Sequence, residues 1–164
     1  MVATSRQEQR SWIAPHDLVE AETGDVPFFE IGSRKQRKAE REQAAIARIR
    51  HVLASDTGEE IYRLFQEYEA GETLEAKLAK ALDNLEVQVQ HNLSDLSSWQ
   101  QVEYELVYTK MDRFCRHDRF LQELCEAIKA QAEEKMRAAG VDVEAVRRKA
   151  AVSLQTHLPP QSTW

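Results

Sequence analysis

His16-Asp17-Leu18-Val19-Glu20-Ala21-Glu22-Thr23-Gly24-Asp25 is the stretch that decides how this chain is read. Pro15, just before it, suits the first turn of a helix, where the N–H that proline lacks would go unbonded anyway. Gly24 suits a left-handed cap at the other end. The spacing predicts a helix over about 15–23, with Asp25 just beyond it. His16 and Glu20 are four residues apart and share a face of that helix, and Asp17 follows His16 directly. Imidazole and carboxylate are the donors that hold a divalent cation, and Glu20 sits where it can orient water or substrate beside one.

Outward from that stretch the periodicity stays helical. Only 5 glycines and 4 prolines punctuate 164 residues, and strand-like alternation rich in β-branched residues is nearly absent, so the expected fold class is all-α. Phe28, Phe29 and Ile31 read as an apolar connection to a helix over about 33–54, with Ile46, Ile49, Val52 and Leu53 inward. A helix over 58–70 carries Ile61, Leu64, Phe65 and Tyr68, and Gly71 stops it. Thr73 starts another, to about 91, striped by Leu74, Leu78, Leu82, Leu85 and Val89. Ser97 or Ser98 suits the N-cap of a helix over 99–115. A further helix over 117–139 carries Phe120, Leu121, Leu124, Cys125, Ile128 and Met136 and ends at Gly140, and a last one covers about 142–154.

Charge and composition narrow the function. A formal net charge of −6, with 30% charged residues, argues against a surface that coats nucleic acid, which calls for a basic stripe. A small phosphorylated substrate needs only a local cation or a metal. There is no Gly-rich phosphate loop and no internal repeat, which excludes P-loop and dinucleotide-binding readings. Cys115 and Cys125 read as buried free thiols of a reducing compartment. No apolar run of about 18 residues and no signal-peptide pattern is present, so a cytoplasmic chain with no membrane partner is expected.

A second carboxylate stands out in Leu82-Asp83-Asn84-Leu85-Glu86. Asp is a poor helix former, and Asp83 has Ala79 and Val87 among its helical neighbours, an environment that fits a functional group as well as a solvated mid-helix residue.

The segment His16 to Pro27, followed by Phe65-Gln66-Glu67-Tyr68-Glu69, Glu75-Ala76-Lys77 and Leu82-Asp83-Asn84-Leu85-Glu86, resembles the HD-domain metal-dependent phosphohydrolases, especially the branch of bacterial 5'-deoxynucleotidases. The resemblance runs from about His16 to Leu154. It implies an HD-domain-like bundle of about six helices, shortened at its N-terminus: a polar segment 1–14, a helical domain 15–155 and a disordered tail 156–164. It also implies that His16, Asp17 and Asp83 are metal ligands and that Glu20 and Asp25 are the acidic groups that engage water, substrate and leaving group.

The implied cofactor is one divalent ion, with Mn, Co, Fe and Zn all compatible with mixed N/O donors. The implied substrate is a small phosphomonoester such as a (deoxy)nucleoside 5'-monophosphate, the implied assembly a homodimer. In that family a further histidine precedes the His-Asp pair, and no histidine precedes His16 here. His91 is about 12 Å along the helix from Asp83, too far to share an ion with it. The alternative expectation is therefore a truncated or catalytically impaired member acting as a binding or interaction module, and a purely helical module without metal is the third.

Overall fold

The computed structural model describes the backbone of residues 6–24 and 37–156, and side chains from Pro15 onward within those spans as far as Ser153. Among the described residues every regular element is a helix. The chain divides into two compact units, Met1–Lys80 and Ala81–Trp164. The expected connection at Phe28, Phe29 and Ile31 lies outside the described residues, as do residues 157–164 of the expected disordered tail 156–164, while Thr156 ends a helix.

In the first unit, α1 (Arg6–Thr23), α2 (Lys38–Val52) and α3 (Ser55–Ala70) pack against one another pairwise. Val19 of α1, Ala45 and Ile46 of α2 and Phe65 of α3 form a fully buried cluster, with Ile49, Ile61 and Tyr62 packed around it. Burying the Val19, Ile46 and Phe65 side chains contributes about 1.5–3 kcal/mol each. Ends fall where the sequence puts them: Gly24 and Gly71 adopt left-handed φ values of 76° and 64°, and their N–H groups bond to the carbonyls of Glu20 and Glu67. Gly58 has a different role. A Cβ there would lie 2.4 Å from the carbonyl oxygen of Arg50, so only glycine lets α3 start this close to the end of α2.

Three expectations need correction in this unit. Proline does not open the first helix: α1 begins at Arg6, and Pro15 lies buried inside it, although it cannot donate the backbone bond of its turn. On α2 the apolar face ends at Ile49, because Val52 is 82% exposed and Leu53 37%. α3 begins at Ser55, three residues before Gly58.

Helix α4 (Leu74–Leu93) runs from the first unit into the second. Thr73 accepts the Ala76 N–H through Oγ1 at 3.2 Å, as expected of a helix start. Its buried positions are Ala76, Ala79, Ala81, Leu85 and Gln88, whereas Leu74 is exposed. Three of these five are alanines, so small residues rather than the leucine stripe hold most of its buried positions.

In the second unit, a 3-10 turn (Leu96–Ser98) leads to α5 (Gln101–Thr109), α6 (Asp112–Cys115), α7 (Arg119–Ala138) and α8 (Val143–Thr156). The expected single helix over 99–115 is two helices, broken around Lys110–Met111, with the Met111 side chain buried in the core. Its cap is also different. Asp95 caps the 3-10 turn through the Ser97 N–H, and Gln100 with Glu103 forms the capping box that starts α5. Asp118 caps α7 by accepting the Leu121 N–H at 3.0 Å, and Gly140 ends that segment with φ 79°.

The interior of this unit gathers Trp99, Val107, Leu121, Ile128, Ala132 and Met136, while Phe120, expected inward, is 69% exposed. Cys115 and Cys125 are buried free thiols, as expected. Burial pushes both up from the ordinary thiol value, Cys125 to about 12, so neither is a ready nucleophile. Among the described residues no helix is long and apolar enough to cross a membrane.

Candidate active site

His16, Asp17 and Glu20 lie together on α1, in the two turns before Gly24. Val19, between them, points into the core cluster and sets the rotation of the helix, which leaves His16 and Glu20 half-buried and Asp17 exposed. His16 Nε2 is 3.3 Å from Glu20 Oε1, and its Nδ1 is 3.8 Å from Glu69 Oε1 of α3, an ion-pair separation rather than a hydrogen bond. The Tyr68 ring stacks on the imidazole with centroids 4.6 Å apart and planes 29° from parallel.

Glu20 is also held from the other side. Lys38, at the start of α2, places Nζ 3.1 Å from Glu20 Oε1 and 3.3 Å from Glu42 Oε1 one turn along its own helix. The hydrogen bond from His16, together with Lys38 and against the effect of burial, holds the Glu20 carboxyl down at about 2. Burial opposes the charge on Lys38, but the hydrogen bond to Glu20 and the charge on Glu42 outweigh it and raise the ammonium above its ordinary value. Glu42 is 4% exposed, and burial pushes its carboxyl up further than Lys38 pulls it down. Charged groups of both signs therefore converge on one face of α1.

Lys80 of α4 closes the other flank. Its Nζ donates to the Glu69 carbonyl at 3.0 Å and lies 5.2 Å from the centre of the Tyr68 ring, while its stem passes 3.5–3.6 Å from where a Cβ on Gly71 would stand. Asp83 lies on the same helix three residues later, half-buried, within the second unit. Asp25 lies outside the described residues.

The His16–Glu20 spacing was legible in the sequence. Lys38, Glu42 and the placement of Glu69 and Tyr68 against His16 were not, because they come from other helices; the one local signal was the Lys38/Glu42 spacing of four.

His51 and His117 are exposed, and His91 pairs with Glu103 at 3.5 Å and tilts against Trp99 in the second unit. His157 lies outside the described residues. A trio of ligand-capable atoms within 4.8 Å of one another occurs elsewhere, at Asp112, Cys125 and Glu126. The Lys129 ammonium fills it, 2.5 Å from Asp112 and 3.0 Å from Glu126, so it is an ion pair and needs no metal.

The HD domain family model matches residues 11–129, a span that includes His16, Asp17, Glu20 and Asp83. This chain belongs to the HD-domain family. Among curated HD relatives it is 42% identical over 82 residues to the 5'-deoxynucleotidase HDDC2 of Danio rerio, a match covering 49% of this chain and 40% of that protein. It is 38% identical over 76 residues to the 5'-deoxynucleotidase HDDC2 of Homo sapiens and 41% identical over 76 residues to that of Dictyostelium discoideum. Those matches cover 46% of this chain and 36% and 39% of the relatives. The chain thus spans about two fifths of the length of the curated relatives it matches.

Its fold is similar to the crystal structure of a predicted metal-dependent phosphohydrolase from Magnetospirillum magnetotacticum MS-1. The TM-score is 0.65 and the identity 26%, and the match covers 86% of this chain and 69% of that one. An HD-domain helical bundle is therefore the fold, and the sequence resemblance named the same family.

Proposed function

We propose that this HD-domain chain is a metal-dependent phosphohydrolase that removes phosphate from a small phosphomonoester, most specifically a deoxyribonucleoside 5'-monophosphate. The observation that carries the reading is the α1 cluster itself: an imidazole with Glu20 one turn away at 3.3 Å and Asp17 beside it, in a chain similar to 5'-deoxynucleotidases.

The donor chemistry fits a divalent cation. His16 offers an imidazole nitrogen, and Asp17 and Asp83 offer carboxylate oxygens, a mixed N/O set that suits Mn, Co, Fe or Zn. A cation bound there would neutralise phosphoryl charge and acidify a water molecule. The remaining work falls to the chain. Glu20, braced by Lys38, is the group proposed to orient the attacking water, and Asp25 is the proposed partner at the leaving oxygen. The Lys38 ammonium adds positive charge on that side, where charge that develops in the transition state would gain from it. A cytoplasmic location and a homodimer belong to the same proposal, and sedimentation of the purified chain tests the latter.

The test is phosphate release from deoxy- and ribonucleoside monophosphates with Mn, Co, Fe and Zn supplied separately, alongside metal content. Asp17→Ala and Asp83→Ala are expected to lose both activity and bound metal. If either variant kept both in full, the ligand assignment would be wrong.

A further inference from the structure

His16 sits against two consecutive residues of another helix, Tyr68 and Glu69 of α3. An imidazole that ligates through one nitrogen performs best when its ring plane is fixed and its other N–H faces an acceptor, which also settles which nitrogen keeps the proton. Tyr68 and Glu69 stand at the two places where these constraints would act, the ring face and the Nδ1 edge. Tyr68, 3% exposed and fixed in the interior, lies flat against the imidazole at 4.6 Å and sets its plane. Glu69 reaches the Nδ1 edge at 3.8 Å, while Nε2 is the edge that faces Glu20.

Tyr68 and Glu69 are themselves anchored. Lys80 holds the Glu69 carbonyl at 3.0 Å and covers the Tyr68 ring, so the end of α3 is fixed where Gly71 turns the chain into α4.

Resting on the reading of His16 as a metal ligand, we propose that Glu69, with Tyr68, is a positioning residue for that histidine. Glu69 holds the Nδ1 edge, so that Nε2, beside Glu20, is the nitrogen presented to the ion. Neither residue touches substrate; both act through the imidazole. At 3.8 Å the Glu69 contact is an approach that tightens to a hydrogen bond when Nε2 is engaged, as polar contacts of unliganded sites commonly do.

The probe is Co2+, added to the full chain after chelator treatment. Co2+ displaces the signals of its histidine ligands far downfield in proton NMR, and a retained ring N–H appears as a resonance present in H2O and absent in D2O. The wild-type chain is expected to bind Co2+ and show one such resonance from His16.

Glu69→Ala is expected to weaken Co2+ binding about tenfold and to broaden that resonance through faster exchange with solvent. Its thermal melt should be unchanged, because the Glu69 side chain is 36% exposed. Glu69→Gln, which retains an acceptor of the same length, should recover most of the affinity. Tyr68→Phe keeps the stacked ring and should bind as the wild type does.

Unaltered affinity and an unaltered resonance in Glu69→Ala would overturn the assignment while leaving His16 a ligand. A wild-type chain that takes up Co2+ with no histidine resonance, or takes up none, would overturn the ligand reading and this assignment with it.

Discussion

Among the described residues each unit of the molecule buries one glutamate on a helix, Glu42 and Glu133, and the two are treated in opposite ways. In the second unit Glu133 of α7, 7% exposed, accepts hydrogen bonds from Tyr108 Oη at 3.0 Å, Arg147 Nε at 2.9 Å and Arg137 Nη2 at 2.9 Å. Burial alone would raise its carboxyl, but Arg147, then Tyr108 and Arg137, outweigh that and hold it below its ordinary value. In the first unit Glu42, 4% exposed, has Lys38 at 3.3 Å, and Lys38 is shared with Glu20; there burial wins and the carboxyl is raised. A saturated buried carboxylate ties α5, α7 and α8 together. One whose cation is also engaged by a neighbouring acid keeps charge available at a site, at some cost in stability.

The comparison is broken most forcefully at Glu133. Glu133→Ala strands Tyr108 and two guanidinium groups at once and is expected to lower stability by about 3 kcal/mol, read as a fall in the urea midpoint at constant slope. Tyr108 reports the same event. Burial and the Glu133 hydrogen bond push its phenol up to about 12, so in the variant its titration should move back toward the ordinary tyrosine range. A loss below about 1 kcal/mol would mean that saturation of Glu133 adds little, and the contrast with Glu42 would collapse.

How much of this contrast the sequence carried depends on whether a partner is local. Gly24, Gly71 and Gly140 marked helix ends because left-handed φ is a local demand, and each adopts it. His16 and Glu20 were legible as a pair because one turn of helix brings them together. Glu133 was not legible: Tyr108 and Arg147 lie 25 and 14 residues away and reach it only through packing of α5 and α8. The break near Met111 was missed for a similar reason, since apolar periodicity runs through it and burial of Met111, together with the Asp112–Lys129 pair, decides it. Pro15 was misplaced because its helix-start preference is weaker than the packing that continues α1 around it.

The next effect in size sharpens the functional side. Lys38→Met removes the cation that Glu20 and Glu42 share. Stability should fall by only about 1 kcal/mol, because Glu42 can protonate instead of remaining an isolated buried anion. Phosphate release should suffer more: kcat should drop about tenfold with KM little changed if Lys38 braces Glu20. Lys38→Arg should restore part of it. A variant that lost several kcal/mol with normal kcat in its folded fraction would make Lys38 a structural cation like Arg147, and the two units would no longer differ in kind.

The smallest effects lie in pH dependence, where the two acids of the first unit should pull in opposite directions. Glu20, held at about 2 when folded, favours the folded state most above the ordinary carboxylate range near ~4.3. That contribution is lost as pH falls from about 5 toward 2. Glu42, raised when folded, contributes in the reverse sense: its share is present below the ordinary range and is lost as pH rises through its raised value. In metal-free protein, Glu20→Gln should therefore flatten the acid limb of the stability curve between about pH 5 and 2. Glu42→Gln should cost no more than about 0.5 kcal/mol at pH 4 and become the more stable protein, relative to the unaltered chain, as pH is raised to 7. Urea midpoints measured across that range decide it. If Glu42→Gln lost stability steadily as pH rose, Glu42 would be a satisfied anion like Glu133, and the charge gathered beside His16 would be scaffold rather than site.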